Sequence, residues 1–212
     1  ALVSHLVGAD LLVLLTDTPG LFTADPRLDS EASLIEEIAE VDAALEAVAG
    51  ASGTLRGSGG MASKLAAAKI AAWSGVRAVI AAADSPSVVL DAVEGKPIGT
   101  VIRPREARLP SRKLWIAFAR GAAGRVVVDD GARRALTRDG RSLLPAGVRG
   151  VEGRFEADDA VEVVGEDGRP FAKGLARVSG DALRAIAGRR TGDLPEGIPH
   201  EVIHRDDLVV LP

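Results

Sequence analysis

Residues 10–16, Asp-Leu-Leu-Val-Leu-Leu-Thr, are a continuous apolar run closed at each end by a polar residue. A strand with one wet face alternates apolar and polar side chains; this run has no polar side to offer water. It reads as a strand covered on both faces, as in a parallel sheet layered between helices. Residues 76–82, Val-Arg-Ala-Val-Ile-Ala-Ala, read the same way. Helical segments accompany them. Residues 41–49 carry Asp42 as a possible N-cap and Gly50 as a stop, residues 61–74 end at Gly75, and residues 87–93 end at Gly95. Helices alternating with short apolar strands predict an α/β fold over residues 1–120.

The pattern changes near Gly124. Residues 125–128 (RVVV), 161–164 (VEVV) and 171–178 (FAKGLARV) read as short strands, and the GEDGRP turn separates the last two. The segment SGDALRAIAG predicts a short helix with Ser179 or Asp181 as cap and Gly188 as stop, and residues 207–211 predict a closing strand. A small β-barrel-like domain over residues 121–212 follows, joined through the small-residue stretch Gly121-Ala-Ala-Gly124.

Composition narrows the function classes. The absence of cysteine excludes disulfides and thiolate-bound metals and favours a reducing, cytoplasmic setting. The longest apolar runs, 11–15 and 76–83, are too short to span a bilayer, so no membrane role is expected. Net charge is −4, with 12 basic against 14 acidic residues in 1–120 and 14 against 16 in 121–212. Neither part shows the positive surplus that phosphate backbones demand, which argues against an RNA partner.

Two segments carry candidate chemistry. Residues 57–75 read GSGGMASKLAAAKIAAWSG: glycines run directly into an alanine-rich helix. Gly57, Gly59 and Gly60 allow close backbone approach to a ligand, and the helix start turns free N–H groups toward that loop, where phosphate oxygens are welcome. Lys64 sits in the first turn, where a cation opposes the helix dipole unless an anion meets it. A flexible turn with a solvent-facing lysine fits this segment equally well. The order of residues is neither a Walker A loop nor a dinucleotide fingerprint, because the segment contains no Gly-Lys pair and Ala62 replaces the third glycine. The second segment, Thr16-Asp-Thr-Pro-Gly-Leu-Phe-Thr-Ala-Asp-Pro-Arg27, leaves the first strand at its carboxyl end, where parallel sheets bind ligands.

Together, TDTPGLFTADPR, GSGGMASKLAAAKIA followed by SGVRAVIAA, and RKLWI resemble glutamate 5-kinase, in the order of the later part of its amino-acid-kinase domain. GARRALTRDGRSLLPAGVRGVEG, FAKGLARVSGDALRAIAG and VIHRDDLVV resemble the PUA domain appended to many members. The resemblance implies the C-terminal portion of a three-layer α/β/α kinase domain followed by a small β-barrel-like PUA domain. It implies transfer of the ATP γ-phosphoryl group to the side-chain carboxylate of L-glutamate, the first step of proline synthesis. On it, Thr16 and Asp17 meet ATP, and Ser58, Gly59, Gly60, Met61, Ala62, Ser63 and Lys64 form the glycine-rich ATP segment. Lys64 is the catalytic residue, neutralising the phosphoryl group in flight, and Phe22 and Asp25 border the nucleotide. Mg2+ is expected to bind through the nucleotide and water, with no protein metal site, and a homo-oligomer (dimer or tetramer) is implied.

The family carries a long segment before this point, with a first phosphate loop, a second lysine and the glutamate-binding residues. The glutamate site is therefore expected outside these 212 residues, and the isolated chain is expected to be inactive. The alternatives are an RNA-modification accessory protein working through the PUA domain, or another amino-acid kinase. His5, His200 and His204 share no metal-ligand spacing and read as surface or capping residues. Arg112, Lys113 and Trp115 read as a domain-closing strand. Arg133, Arg134, Arg138 and Arg141, interleaved with Asp129, Asp130 and Asp139, read as a solvated mixed face.

Overall fold

The computed structural model describes residues 1–51 and 60–211, with only the backbone of residue 51. The chain divides into two compact units, Ala1–Pro110 and Ser111–Pro212.

The first unit is built on a four-stranded sheet of order β1-β3-β4-β2, with β1 Leu11–Thr16, β2 Glu37–Ile38, β3 Arg77–Ala82 and β4 Thr100–Ile102. β1 and β3 run parallel from Leu11↔Arg77 to Thr16↔Ala82, and β4 lies antiparallel to β3. The period of two along the strands divides them between two cores. Ala78, Ile80 and Ile102 pack with Leu65, Ala68 and Ala71 of helix α3 (Met61–Trp73), below α2 (Ala43–Ala51). Val79, Ala81 and Val101 pack with Val88 of α4 (Val88–Glu94) on the opposite face. Helices thus cover both faces. β3 is the strand buried on both sides; β1 is an edge of the sheet among the described residues and leaves Leu15 43% exposed. The short α1 (Leu2–Leu6) and the strands β2 and β4 have no counterpart in the sequence pattern.

Local signals set the helix ends. Asp42 caps α2, its Oδ1 accepting from the Leu45 amide at 2.9 Å. α4 ends on Gly95 in the left-handed conformation.

The second unit carries a five-stranded mixed sheet of order β6-β5-β7-β8-β9. Its strands are β5 Gly124–Val128, β6 Val148–Gly153, β7 Ala160–Val164, β8 Pro170–Leu175 and β9 Leu208–Val210. β5 and β7 pair in parallel and the other pairs are antiparallel. One core gathers Val126, Val128, Val161, Val163, Phe171, Leu183, Ile186 and Ile203. Ser179 caps α7 (Gly180–Ile186) by accepting from the Ala182 amide at 3.3 Å. Asp129 caps α6 (Asp130–Thr137), a helix hidden in the sequence by its turn-like charged residues.

The segment read as a domain-closing strand is instead α5 (Ser111–Leu114) running into a π-helical turn, Trp115–Ala119. Arg112 pairs with Asp207 at 2.5 Å, and the Lys113 and Lys173 ammonium groups donate to the carbonyls of Arg205 and Ala117. These bonds hold the segment to the second unit, and its apolar Leu114 and Ile116 are buried. Tertiary burial overrode the strand-like composition. Elsewhere on this unit the mixed face is as read: Arg149 pairs with Asp129 at 2.7 Å and Arg133 with Asp167 at 3.4 Å. His204 acts as a cap, its Nδ1 accepting from the Asp206 amide at 3.2 Å.

Candidate functional site

Only three residues separate the end of α3 from the start of β3, so helix and strand run in opposite directions. A 13-residue helix and a six-residue strand both measure about 20 Å. The N-terminus of α3 therefore returns to the carboxyl ends of β1 and β3, the end where Thr16 and Asp17 stand. Topology brings the two candidate segments to one edge of the sheet.

On the strand side, Thr16 is buried and donates its Oγ1 hydrogen to Asp17 Oδ1 at 3.0 Å, which leaves the Asp17 side chain at the rim. The Thr16 carbonyl accepts from the Ala83 amide at 2.8 Å, so the strand end is held by the ladder. Beyond it, Thr18 donates to the Gly20 carbonyl at 3.3 Å, and Phe22 is half-buried in a bridge to Leu34. Asp25 accepts from the Arg27 guanidinium at 3.0 and 2.7 Å and from the Arg27 amide at 3.0 Å. That side-chain hydrogen bonding, chiefly, lowers the Asp25 carboxyl to about 2. Arg27 is raised by Asp25 first and by the charge of Asp17 as well, which ties this second turn electrostatically to the strand end.

On the helix side, Gly60 is the N-cap and offers no side-chain cap. A Cβ there would meet open space among the described residues, so packing does not impose the bare cap. Ser63 donates its hydroxyl hydrogen to the Gly60 carbonyl at 2.8 Å. Ala62 and Ser63 are exposed and Lys64 is half-buried in the first turn. Met61 packs against the core with Leu65, so only its backbone faces the helix end. Ser58 and Gly59 lie outside the described residues.

Among the described residues no three His, Asp or Glu side chains gather in metal-ligand geometry. No described helix is long and apolar enough to cross a membrane. Three contributors escaped the sequence pattern. Arg27 has a local signal, the Asx-type turn closing on Asp25. Gly20 and Thr100 had none, since they meet across 80 residues of chain.

A mixed α/β sheet whose parallel pair has a bare helix N-terminus and a lysine at its carboxyl end, followed by a separate mixed-sheet unit, describes a kinase-type fold with an appended small domain. In agreement, residues 1–82 match the amino acid kinase family and residues 124–198 match the PUA domain. The whole chain is similar to glutamate 5-kinases. It is 45% identical to that of Serratia marcescens, over 99% of this chain and 58% of that protein. It is also 45% identical to that of Herpetosiphon aurantiacus, again over 99% of this chain and 58% of the relative. The chain thus spans somewhat over half the length of the curated relatives it matches. Among solved structures, a PUA domain from Aeropyrum pernix is 31% identical, with a TM-score of 0.32 over 44% of this chain and 48% of that one. Uridylate kinase from Archaeoglobus fulgidus is 20% identical, with a TM-score of 0.34 over 48% of this chain and 43% of that one.

Proposed function

We propose that these residues supply the ATP half of a glutamate 5-kinase, which moves the γ-phosphoryl group of ATP onto the side-chain carboxylate of L-glutamate to give glutamyl 5-phosphate, opening proline synthesis. The observation that carries the reading is 45% identity across 99% of the chain to glutamate 5-kinases, with both candidate segments at one edge of the sheet.

Phosphoryl transfer asks a protein for positioning and positive charge more than for covalent chemistry. The helix N-terminus at Gly60, Met61 and Ala62 offers backbone N–H groups to phosphate oxygens, while the Ser63 amide donates to the Gly60 carbonyl at 3.1 Å and closes the first turn behind them. Ser58 and Gly59, outside the described residues, belong to the same ATP segment on this reading, and Lys64 offsets the charge of the phosphoryl group between donor and acceptor. Thr16 and Asp17 border the nucleotide from the strand end, with Phe22 and Asp25 beyond them. The glutamate carboxylate is already ionised at neutral pH, so the oxygen that attacks phosphorus needs no general base. A magnesium ion would ride on the nucleotide phosphates and share their charge. The cytoplasm, where ATP and glutamate are both abundant, is the setting for this reaction, and assembly as a homo-oligomer belongs to the same reading.

The test is acyl-phosphate formation. An enzyme that contains these residues together with a glutamate-binding segment is given Mg-ATP and L-glutamate, the product is trapped with hydroxylamine, and aspartate and N-acetylglutamate serve as controls. Hydroxamate with glutamate alone is the expected result. Equal or greater product with another acid reassigns the acceptor, and nucleotide hydrolysis without acid dependence removes the reading.

A further inference from the structure

Thr100 opens β4 and is fully buried, one of four buried polar residues among those described, with Ser4, Thr16 and Ser74. Its Oγ1 accepts the Leu21 amide hydrogen at 2.8 Å, bridging 79 positions of sequence. A Cβ on Gly20 would stand 2.6 Å from that oxygen and 3.0 Å from the Thr100 amide nitrogen, so the chain passes Thr100 at a distance that only glycine permits. The residue before it, Gly99, has φ of +60°, and a Cβ there would overlap the Ile80 carbonyl. That left-handed turn seats the start of β4 against β3.

The register places these contacts. Thr16 pairs with Ala82 and Thr100 pairs with Ile80, so the two buried threonines flank the last residues of β3 from opposite sides. The loop 17–21 spans the gap between them. One end is fixed in the β1 ladder and the other on the Thr100 hydroxyl, while the Thr18 hydrogen bond to Gly20 closes its interior.

We infer that Thr100 is a positioning residue for the nucleotide site: by fixing the Leu21 amide it holds loop 17–21, and with it Asp17, in the shape that meets the nucleotide. This rests on the nucleotide reading above. The loop is ordered before ligand arrives, so binding does not bear that entropy cost. Replacing the hydroxyl with a methyl group leaves the buried Leu21 N–H without an acceptor, and the loop must shift to regain one.

The experiment titrates the full chain with Mg-ATP, without any acceptor acid, by calorimetry, for wild type, Thr100→Val and Thr100→Ser, with melting temperatures in parallel. Thr100→Val is expected to weaken binding about tenfold, while Thr100→Ser, which keeps the acceptor, stays within about twofold of wild type. Wild-type affinity in Thr100→Val overturns the inference, as does a lowered melting temperature with unchanged affinity, which assigns Thr100 to stability alone. No binding by the wild type fails the nucleotide reading itself, and the inference falls with it. Should Thr100→Val not fold, Gly20→Ala pushes the loop off the same oxygen, and an affinity loss in a folded Gly20→Ala supports the inference while wild-type affinity overturns it.

Discussion

The two units spend similar sequence on different ends. The second gathers its valines, leucines and isoleucines into one core and, among the described residues, leaves only Trp115, Leu144 and Val210 as exposed large apolar side chains. The first splits its core across a thin sheet and exposes Leu2, Val3, Leu6, Val7, Leu15, Leu28, Val89, Leu90 and Val93. Its buried polar groups differ as well. Thr16 and Thr100 lie at the carboxyl edge of the parallel pair, so this unit places hydroxyls where the second places aliphatic carbon. The difference teaches that the first unit is organised around an edge that presents polar groups, and the second around an interior that excludes water.

If the comparison is right, core damage in the second unit and charge removal in the first have opposite signatures. Leu183→Ala, at a fully buried position of α7, should cost about 2–5 kcal/mol in denaturant unfolding of the second unit. Nucleotide affinity measured below that transition should be unchanged; a parallel loss of affinity would break the comparison. Lys64→Ala should do the reverse. In the active enzyme it should lower kcat about 10²–10³-fold, the scale of losing one preorganised charge or donor at a transition state. Its melting temperature should fall by no more than a few degrees, because the half-buried side chain lies in the first helical turn and outside the apolar core.

A smaller effect sharpens the picture of the second unit. Ser179→Ala removes the acceptor for the Ala182 amide and should cost about 1 kcal/mol, read as a lower urea midpoint at unchanged slope. The smallest effect is electrostatic and belongs to the first unit. The Asp25 carboxyl, lowered from 3.8 to about 2 chiefly by Arg27, contributes stability that is fully present above its unfolded value and is lost as pH falls through about 2. A side-chain NMR titration should find Asp25 still ionised at pH 3, and Arg27→Ala should return its midpoint toward 3.8.

The sequence alone carried much of this. Unbroken apolar runs dictated covered strands, because a segment with no polar side cannot face water, and β1 and β3 lie where those runs are. Caps at Asp42 and Ser179 and the stop at Gly95 were legible because each acts within about four residues. The glycine loop, Lys64 and the Thr16–Asp17 strand end were likewise visible as local patterns. Tertiary structure decided the rest. Whether residues 111–119 form strand or helix depended on burying Leu114 and Ile116 and on carbonyl acceptors for Lys113 and Lys173. β2 and β4, at two and three residues, are too short to carry a periodic signal and exist through their ladder partners. The Gly20–Thr100 contact joins residues 80 positions apart. A hydroxyl and a missing Cβ announce nothing in sequence, since their meaning comes only from the distance at which folding sets them.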